Sequence, residues 1–446
     1  MLKSVKITKL FGRFDYELSF SSEGIMIITG PNGYGKSTIL KMINNFCNES
    51  LQKVLNYTFS SFTITCNSNQ ITIFKGDKFF KIGAMSFPYP EKNWDRRRGI
   101  VPPFIRRIGY DEYIDVRTHE YIRTKKDIYD METTDELLLE DRFFYAVLES
   151  ARFESSDFDN TYDNLVTAVK LLNSIKQEIG KVRFIQEQRL IEKREVPEEQ
   201  RSYSQPKEEY VTVISENSEK LKNELAEIMK RHSSLSSELD STYIKRLFDA
   251  DIASCGDLIQ VRLALEELQR KQEKLQKYGL AEIKNVSYIF TLDKNKLDRF
   301  SAELSIYIED ANAKYRVFES IINKLDLYEE IVNQKLTFKK MELSSTKGIS
   351  VVSEEGKNLS LSALSSGEQE ILVLFYKLIF ESDVNLLLID EPEISLHIGW
   401  QKEIMQNLKS IVNLNKNIQV IIATHSPQII SHNWHLQIDL GGLYNG

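Results

Sequence analysis

The residues whose types and spacing suit chemistry best form a glycine-rich run, Gly30-Pro-Asn-Gly-Tyr-Gly-Lys-Ser-Thr38, which fits GxxxxGK(S/T) in full. Glycines let backbone N–H groups surround phosphate oxygens, and a helix that begins there adds partial positive charge. The lysine would neutralise phosphate charge, and the hydroxyl after it would bind Mg²⁺. The pattern predicts a phosphate site, and the alternative is a glycine-rich turn with an incidental lysine.

Two further groups stand at the ends of apolar segments. Leu386-Leu-Leu-Ile is followed by Asp390 and Glu391. Asp390 suits Mg²⁺, which prefers oxygen ligands and keeps several waters, and Glu391 suits a general base that deprotonates an attacking water. His425 ends the segment beginning at Val420 and could donate a hydrogen bond to a phosphate or to that water. Either group alone could be an ordinary strand end.

A third group, Leu364-Ser-Ser-Gly-Glu-Gln369, combines serine, glycine and a helix start, and therefore predicts a second anion-binding turn. One phosphate chain needs only one such loop, so a second loop indicates a second molecule. We therefore expect two copies to face each other head to tail, each closing the other's nucleotide.

Short apolar strands must position these groups. The segments 24–29, 385–390 and 420–424 are expected to be buried strands, and a helix is expected after Thr38. An apolar strand is needed to bring Asp390 beside the phosphate loop within a sheet.

The middle of the chain has a different character. Residues 86–110 contain four prolines and the basic residues 96–98 and 106–107, which indicates a loop or an edge segment. Residues 191–210 are polar and indicate a linker. Amphipathic helices that resemble a short coiled-coil arm, or alternatively present a solvated face, are expected at 215–231, 257–278 and 293–334.

Composition excludes several classes of protein. At roughly 150 residues per domain, the 446 residues suggest about three domains. The longest apolar run, at 371–380, is shorter than the roughly 18 residues of a membrane helix, and residues 1–7 do not resemble a signal peptide. Cys47, Cys66 and Cys255 form no CxxC pair, which argues against a disulfide scaffold or a cysteine zinc site. We therefore expect a cytoplasmic protein; its net charge of −7 gives no overall attraction to nucleic acid.

The motifs together resemble those of ABC-type ATPases, in the branch that holds SMC, RecF, RecN and OLD-family proteins. GPNGYGKST resembles the Walker A motif, LSSGEQE the signature motif, LLLIDEPE the Walker B motif, ISLH the D-loop and THS the switch histidine. The resemblance implies an α/β fold: an ABC-ATPase head, a mixed β-sheet sandwich around a P-loop core, with a helical, partly coiled-coil insertion. It implies that 1–190 and 336–446 form the head and that 191–335 form the insertion.

The resemblance also implies the role of each site residue. Nucleotide phosphates and Mg²⁺ would be bound by Asn32, Gly33, Gly35, Lys36, Ser37 and Thr38. Ser37 would bind the magnesium ion directly and Asp390 would act on it through one of its waters. Glu391 would be the catalytic base, and His425 would sense the γ-phosphate. The opposite subunit would supply Ser366 and Gly367, and Ser395 and His397 would line the dimer seam. A Q-loop glutamine is expected at Gln188, with Gln186 as the alternative.

The chain differs from several members of this branch, and the differences indicate which subfamily it resembles. The insertion is short for an SMC protein, it lacks a zinc-hook CxxC, and the sequence ends soon after His425, so we expect no fused nuclease. What remains resembles the stand-alone ATPases of bacterial anti-phage systems, such as AriA of PARIS and PtuA of Septu and retron operons. This resemblance implies a Mg²⁺- and ATP-dependent homodimer, or a larger assembly, that regulates a separate effector such as a nuclease.

A second hypothesis is a DNA-maintenance ATPase of the RecF or SMC type. In it, residues 96–98 and 106–107 would contact the phosphate backbone, with Trp94, Phe104 and Tyr110 stacking on bases. The alternative for the same residues is an ion-paired surface loop. A third class, the ATPase subunit of a transporter, fits poorly because the helical insertion is too large.

Overall fold

The computed structural model of the chain describes most of its residues. The described ranges are 1–21, 23–90, 105–109, 112–115, 121–122, 143–144, 147, 158–186, 190–195, 208–249, 258–281, 300–381, 384–394, 396–415 and 418–443.

The chain divides into two compact units, each assembled from separate stretches of sequence. The first unit comprises Met1–Glu187, Ser382–Glu393 and Lys416–Gly446. The second comprises Gln188–Glu381 and Ile394–Asn415.

A six-stranded antiparallel sheet occupies the start of the first unit, in the order β2-β1-β4-β5-β6-β7. Along β2, buried and exposed residues alternate, as expected of a sheet with one face in the core. Its strands are β1 (Leu2–Leu10), β2 (Phe14–Ser19), β4 (Ser61–Cys66), β5 (Gln70–Lys75), β6 (Phe79–Ile82) and β7 (Met85–Pro88).

A five-stranded parallel sheet in the same unit has the order β11-β17-β18-β3-β19. Every residue of its three central strands is buried, which explains why these strands are continuous apolar runs in the sequence. Its strands are β3 (Ile25–Thr29), β11 (Val182–Ile185), β17 (Leu386–Asp390), β18 (Gln419–Ala423) and β19 (Gln437–Asp439).

Helix α1 (Lys36–Asn48) shares one hydrophobic core with both sheets. Its buried side chains include Ile39, Leu40 and Ile43, which lie at helical spacing on one face. Further elements of this unit are α2 (Leu51–Leu55), α3 (Phe158–Ile179), α10 (Pro427–Ile430), α11 (Leu440–Leu443) and a three-stranded sheet of β8 (Ile105–Gly109), β9 (Glu112–Asp115) and β10 (Tyr121–Ile122).

Three long helices dominate the second unit: α4 (Val213–Asp249), α5 (Leu258–Lys277) and α6 (Ser301–Asn333). They form a helical arm in which α5 and α6 share a small core of Val261, Leu265 and Ile308. The remaining elements are β12 (Ile191–Glu195) paired with β13 (Glu208–Thr212), the sheet of β14 (Lys339–Ser344), β15 (Gly348–Ser353) and β16 (Asn358–Leu359), and the helices α7 (Ser366–Phe380), α8 (Ile398–Gln401) and α9 (Ile404–Leu414).

Two expectations for the middle of the chain were wrong. Residues 191–195 and 208–212 pair as antiparallel strands instead of forming the ends of a linker. Charged residues follow one another directly in both strands, as in Glu192-Lys-Arg-Glu195, and this composition does not distinguish a strand from a polar loop. Helix α4 extends to Asp249, well beyond the predicted end at 231. In the part of the chain that the structure describes, no helix has the length and apolar character needed to cross a membrane.

Candidate nucleotide site

The phosphate loop, Gly30–Thr38, connects β3 to α1 as the sequence pattern predicts, and its last three residues form the first turn of α1. Gly30, Gly33 and Gly35 have φ angles of 142°, 83° and 92°, which L-residues with side chains rarely adopt. A Cβ on Gly35 would lie 2.7 Å from the Leu10 side chain, so a glycine is required there for steric reasons as well. Because the loop precedes α1, backbone N–H groups and the helix N-terminus can bind one anion.

Strand β2 of the antiparallel sheet packs against the phosphate loop. The Tyr16 hydroxyl donates a hydrogen bond of 2.9 Å to the Tyr34 carbonyl oxygen, and the rings of Phe14 and Tyr34 lie 5.0 Å apart. Burial raises the pKa of the Tyr16 hydroxyl above its usual range, so this hydroxyl stays a donor at all relevant pH values.

Ser37 and Asp390 form the pair of oxygen groups expected for magnesium. The Ser37 hydroxyl donates to Asp390 Oδ1 at 2.8 Å, which joins the first turn of α1 to the end of β17. In the described ranges, no group of three or more His, Cys, Asp or Glu side chains could hold a metal ion. One hydroxyl and one carboxylate fit Mg²⁺, because this ion takes few protein ligands and completes its shell with phosphate oxygens and water.

Lys36 is the buried cation of the site, with 5% of its surface exposed. Its ammonium group donates to the Gly30 carbonyl oxygen at 3.0 Å, contacts both ring nitrogens of His425, and lies 4.0 Å from Glu391 Oε1. Burial lowers the pKa of Lys36, while the carboxylates around it, that of Glu391 first, act in the opposite direction.

Glu391 follows β17 directly and has an unusual backbone, with φ at 45°. Its N–H donates to the Ala423 carbonyl oxygen at 2.9 Å, and its Oε1 lies 3.2 Å from His425 Nε2. Burial, followed by a hydrogen bond and repulsion from Glu393, raises its pKa to about 8, although Lys36 acts against this. A carboxyl with a raised pKa beside a cation is suited to take up a proton near neutral pH.

His425 lies just beyond β18, and 38% of its side chain is exposed. Its backbone N–H donates to Glu393 Oε1 at 2.8 Å and lies 3.3 Å from Glu391 Oε2. Burial and then the charge of Lys36 lower the pKa of its ring, which favours the neutral form. A neutral ring can both donate and accept hydrogen bonds.

We expect the nucleotide-free and magnesium-free protein to lose stability, relative to Glu391→Gln, as the pH rises. Folding raises the pKa of Glu391 from 4.5 to about 8, so between these values the folded chain holds a proton that the unfolded chain has released. The resulting stabilisation is complete below pH 4.5 and disappears as the pH rises through about 8, with a slope of at most about 1.4 kcal/mol per pH unit. Thermal midpoints measured in EDTA from about pH 5 to about pH 9 test this, and a pH-independent difference between the two proteins would contradict it.

The signature turn, Leu364–Gln369, begins α7 in the second unit. The Ser365 side chain accepts from the Glu368 N–H, and the Glu368 carboxylate accepts from the Ser365 N–H, which completes a capping box. Lys339 Nζ donates to both oxygens of Glu368 at 2.8 Å. Burial would raise the pKa of Glu368, but the bonds from Lys339 and Ser365 outweigh it and lower the pKa. Ser366 is exposed on this fixed turn and Gly367 is half-buried.

The remaining predicted residues divide between described and undescribed positions. His397 caps α8, with its Nδ1 accepting from the Gly399 N–H at 3.2 Å. Gln186 is exposed at the end of β11. Gln188, Ser395 and the arginines at 96–98 lie outside the described residues.

Five predicted residues therefore meet at the carboxyl ends of the strands of the parallel sheet in the first unit. They are Lys36, Ser37, Asp390, Glu391 and His425. Asn32, Gly33, Gly35 and Thr38 lie in or directly after the loop that precedes α1. Ser366 and Gly367 belong to the second unit. The sequence prediction gave no role to Glu393, whose Oε1 accepts from the His425 and Ser426 N–H groups; its only signal was an acidic residue two positions after Glu391.

A phosphate loop lies between the buried strand β3 and helix α1, and Asp390 and Glu391 lie at the end of β17, which is separated from β3 by β18 in the same parallel sheet. This arrangement is typical of P-loop ATPases. The sequence model for the AAA ATPase domain (AAA_15) matches residues 1–430, so the chain belongs to this family. The predictions of an ABC-type ATPase and of an α/β ATPase head are thereby confirmed.

Two curated relatives and one solved structure are similar to parts or most of the chain. The Retron Ec83 probable ATPase of Escherichia coli is 27% identical over 200 residues, which cover 42% of this chain and 35% of that protein. The Retron Vc95 probable ATPase of Vibrio cholerae serotype O1 biovar El Tor is 33% identical over 92 residues, covering 18% and 17%. The alignments thus span about a third or less of these relatives. The Smc head domain of Pyrococcus furiosus with an extended coiled coil, bound to the C-terminal domain of ScpA, has a TM-score of 0.35 and 13% identity, covering 96% of this chain and 91% of that one.

Proposed function

We propose that the chain binds Mg²⁺-ATP and hydrolyses it to ADP and phosphate. The observation that supports this most directly is the meeting of Lys36, Glu391 and His425 beside the Ser37–Asp390 pair. A cation, a carboxyl group with a pKa near neutral pH and a neutral histidine are the groups needed to bind a terminal phosphate and to activate water.

Each side chain has a distinct task in this proposal. The N–H groups of the phosphate loop and the Lys36 ammonium bind the β- and γ-phosphates, and Ser37 and Asp390 hold Mg²⁺. Bound Mg²⁺ supplies positive charge that offsets the negative charge of the phosphates. Glu391 Oε1 accepts the proton of the attacking water, and His425 donates a hydrogen bond toward the γ-phosphate. Lys36, 4.0 Å from Glu391, acts against the rise in the pKa of Glu391 to about 8 and so increases the fraction of deprotonated carboxylate that can act as the base.

The complete site requires a second copy of the chain in this proposal. Ser366 and Gly367 of one protomer would contact the γ-phosphate held by the phosphate loop of its partner. The capping box and Lys339 support this role, because they fix an exposed serine at a helix start, where an anion binds favourably. ATP would thereby link two protomers, and larger assemblies could be built from such dimers.

The proposed biological role is control of a separate effector protein in bacterial anti-phage defence. The two curated relatives described above are named probable ATPases of retrons. Control of an effector is what the sequence resemblance to stand-alone defence ATPases implies. The state of the bound nucleotide would decide whether the effector, such as a nuclease, is held or released. The predicted insertion, 191–335, is the proposed docking region for partner proteins.

Lys36→Ala tests the ATPase proposal. We expect ATP affinity to fall by about 10- to 100-fold, because charge-assisted hydrogen bonds contribute about 1.5–3 kcal/mol, and we expect turnover to fall with it. Binding is measured with a fluorescent ATP analogue and turnover by phosphate release. The exposed Lys6→Ala, which loses only a surface ion pair with Glu17, is the matched control. Equal affinity and turnover in wild type and Lys36→Ala would reject the proposal.

The defence role is tested separately in cells. The chain is expressed together with its neighbouring genes and challenged with phage, and the proposal expects protection that Lys36→Ala abolishes. A tagged chain should co-purify with the product of one neighbouring gene, in an amount that depends on added ATP. Wild-type ATP turnover without protection or a nucleotide-dependent partner would leave the ATPase proposal standing and overturn the defence role.

A further inference from the structure

Glu393 is an acidic residue at this end of the parallel sheet to which the proposed mechanism gives no task. Its Oε1 accepts three hydrogen bonds from consecutive residues: 2.5 Å from Thr424 Oγ1, 2.8 Å from the His425 N–H and 3.0 Å from the Ser426 N–H. We name residues 424–426 the switch segment. The segment lies between the end of β18 and the start of α10.

Two of the three backbone N–H groups of the switch segment, those of His425 and Ser426, donate to this carboxylate, whereas the Thr424 N–H donates to the Ile28 carbonyl oxygen at 3.1 Å. Backbone N–H groups outside strands and helices depend on such side-chain acceptors for their hydrogen bonds. Thr424 is fully buried, so the site of its hydroxyl bond is fixed inside the protein. Ser426, positioned by the same oxygen, then accepts from the Gln428 N–H at 3.3 Å and caps α10. Glu393 Oε1 therefore contacts all three residues of the switch segment and makes the shorter of the two hydrogen bonds from the His425 N–H, the other being the 3.3 Å bond to Glu391 Oε2.

Glu393 also contacts the segment that carries the proposed base. It lies two residues after Glu391, and its carboxyl group contributes to the raised pKa of Glu391. The Glu391 backbone lies in the left-handed region, with φ at 45°, a strained conformation that persists only when its surroundings enforce it. The Glu391 N–H bond to Ala423, directly before the switch segment, is a further contact of this kind. Glu393 thus joins the Glu391 turn to the His425 segment.

We propose that Glu393 is a positioning residue that fixes His425 relative to Glu391 and Lys36. It touches neither phosphate nor water in the proposed mechanism and acts through His425. The inference rests on the proposed ATPase function for its catalytic consequence, but its structural consequence, the order of the switch segment, does not need ATP.

The variants Glu393→Ala and Glu393→Gln separate positioning from simple support of the fold. Alanine removes the acceptor, whereas glutamine keeps a carbonyl oxygen that can accept the same three bonds. We expect Glu393→Ala to lower kcat by about 10- to 100-fold, as loss of bonds to a charged acceptor implies, with KM for ATP changed by less than about threefold. Glu393→Gln should restore most of kcat. The exposed Glu17→Ala is the matched control and should equal wild type.

A double-mutant cycle with His425→Ala tests whether Glu393 acts through the histidine. If it does, adding Glu393→Ala to His425→Ala lowers kcat no further, because the group that was being positioned is already gone. Independent, multiplicative losses in the double variant would overturn the proposal, as would a wild-type kcat in Glu393→Ala.

Hydrogen–deuterium exchange of the switch segment tests the structural part without nucleotide. In Glu393→Ala, peptides that span 419–430 should exchange faster, while peptides that span the phosphate loop, 30–38, keep the wild-type rate. Glu393→Gln should retain most of the protection. If 419–430 exchanges equally in wild type and Glu393→Ala, the positioning proposal is wrong even if ATP is hydrolysed. If exchange responds as expected but wild type hydrolyses no ATP, the ATPase proposal fails and the positioning of His425 stands.

Discussion

Glu391→Gln is expected to lower the ATP turnover number by about 100- to 10,000-fold, the usual contribution of a general base, with ATP affinity nearly unchanged. Glutamine has the shape of glutamate but cannot accept the proton of water at neutral pH. The phosphate loop, Lys36 and the Ser37–Asp390 pair remain intact, so binding is retained. Because hydrolysis would no longer separate the protomers, the variant should form a longer-lived dimer with ATP.

The measurement combines single-turnover phosphate release with mass determination by light scattering, with and without Mg²⁺-ATP. The exposed Glu17→Gln, again in an ion pair with Lys6, is the isosteric control and should match wild type in both assays. Turnover of Glu391→Gln equal to that of wild type would reject Glu391 as the base. Lost turnover without a more persistent dimer would retain the base and reject the link between hydrolysis and dissociation.

The phosphate loop and the strands beside it were predictable because local sequence determines them. Gly33 and Gly35 have the positive φ angles that the motif requires, and β17 is buried at every position, as its apolar run indicates. The meeting of Ser37 with Asp390, which are far apart in sequence, followed from the family pattern. Their assigned roles in binding and catalysis remain predictions, as do the predicted domain boundaries.

Other features depend on contacts that no local pattern encodes. Glu393 contacts 424–426 only because β17 and β18 are adjacent and parallel in the sheet. Lys339 reaches Glu368 only because β14 is folded against the start of α7. The pairing of β12 with β13 was missed for a similar reason, since charged strands and charged loops have the same composition.

The second large effect is expected from mixing two inactive proteins, Lys36→Ala and Ser366→Arg. Lys36→Ala cannot bind the phosphates well, and the arginine of Ser366→Arg would place a bulky side chain at the exposed signature turn. If nucleotide is enclosed between two copies, a mixed dimer contains one intact site, with Lys36 from one protomer and Ser366 from the other. In an equal mixture half of the dimers are mixed, so about a quarter of wild-type turnover should return.

The control for this experiment is a mixture of Ser366→Arg with the chain that carries both substitutions, in which no intact site can form. Both single variants must be folded at the assay temperature. For Ser366→Arg a wild-type thermal midpoint is expected, because Ser366 is exposed and the capping bonds of Ser365 and Glu368 do not use its side chain. Recovery in the first mixture and none in the second requires that Lys36 and Ser366 act across two protomers, because a site formed within one chain could never be restored by mixing. A first mixture no more active than its separate components would show that the two turns do not cooperate between copies, and the dimeric ATPase proposed for this chain would be wrong.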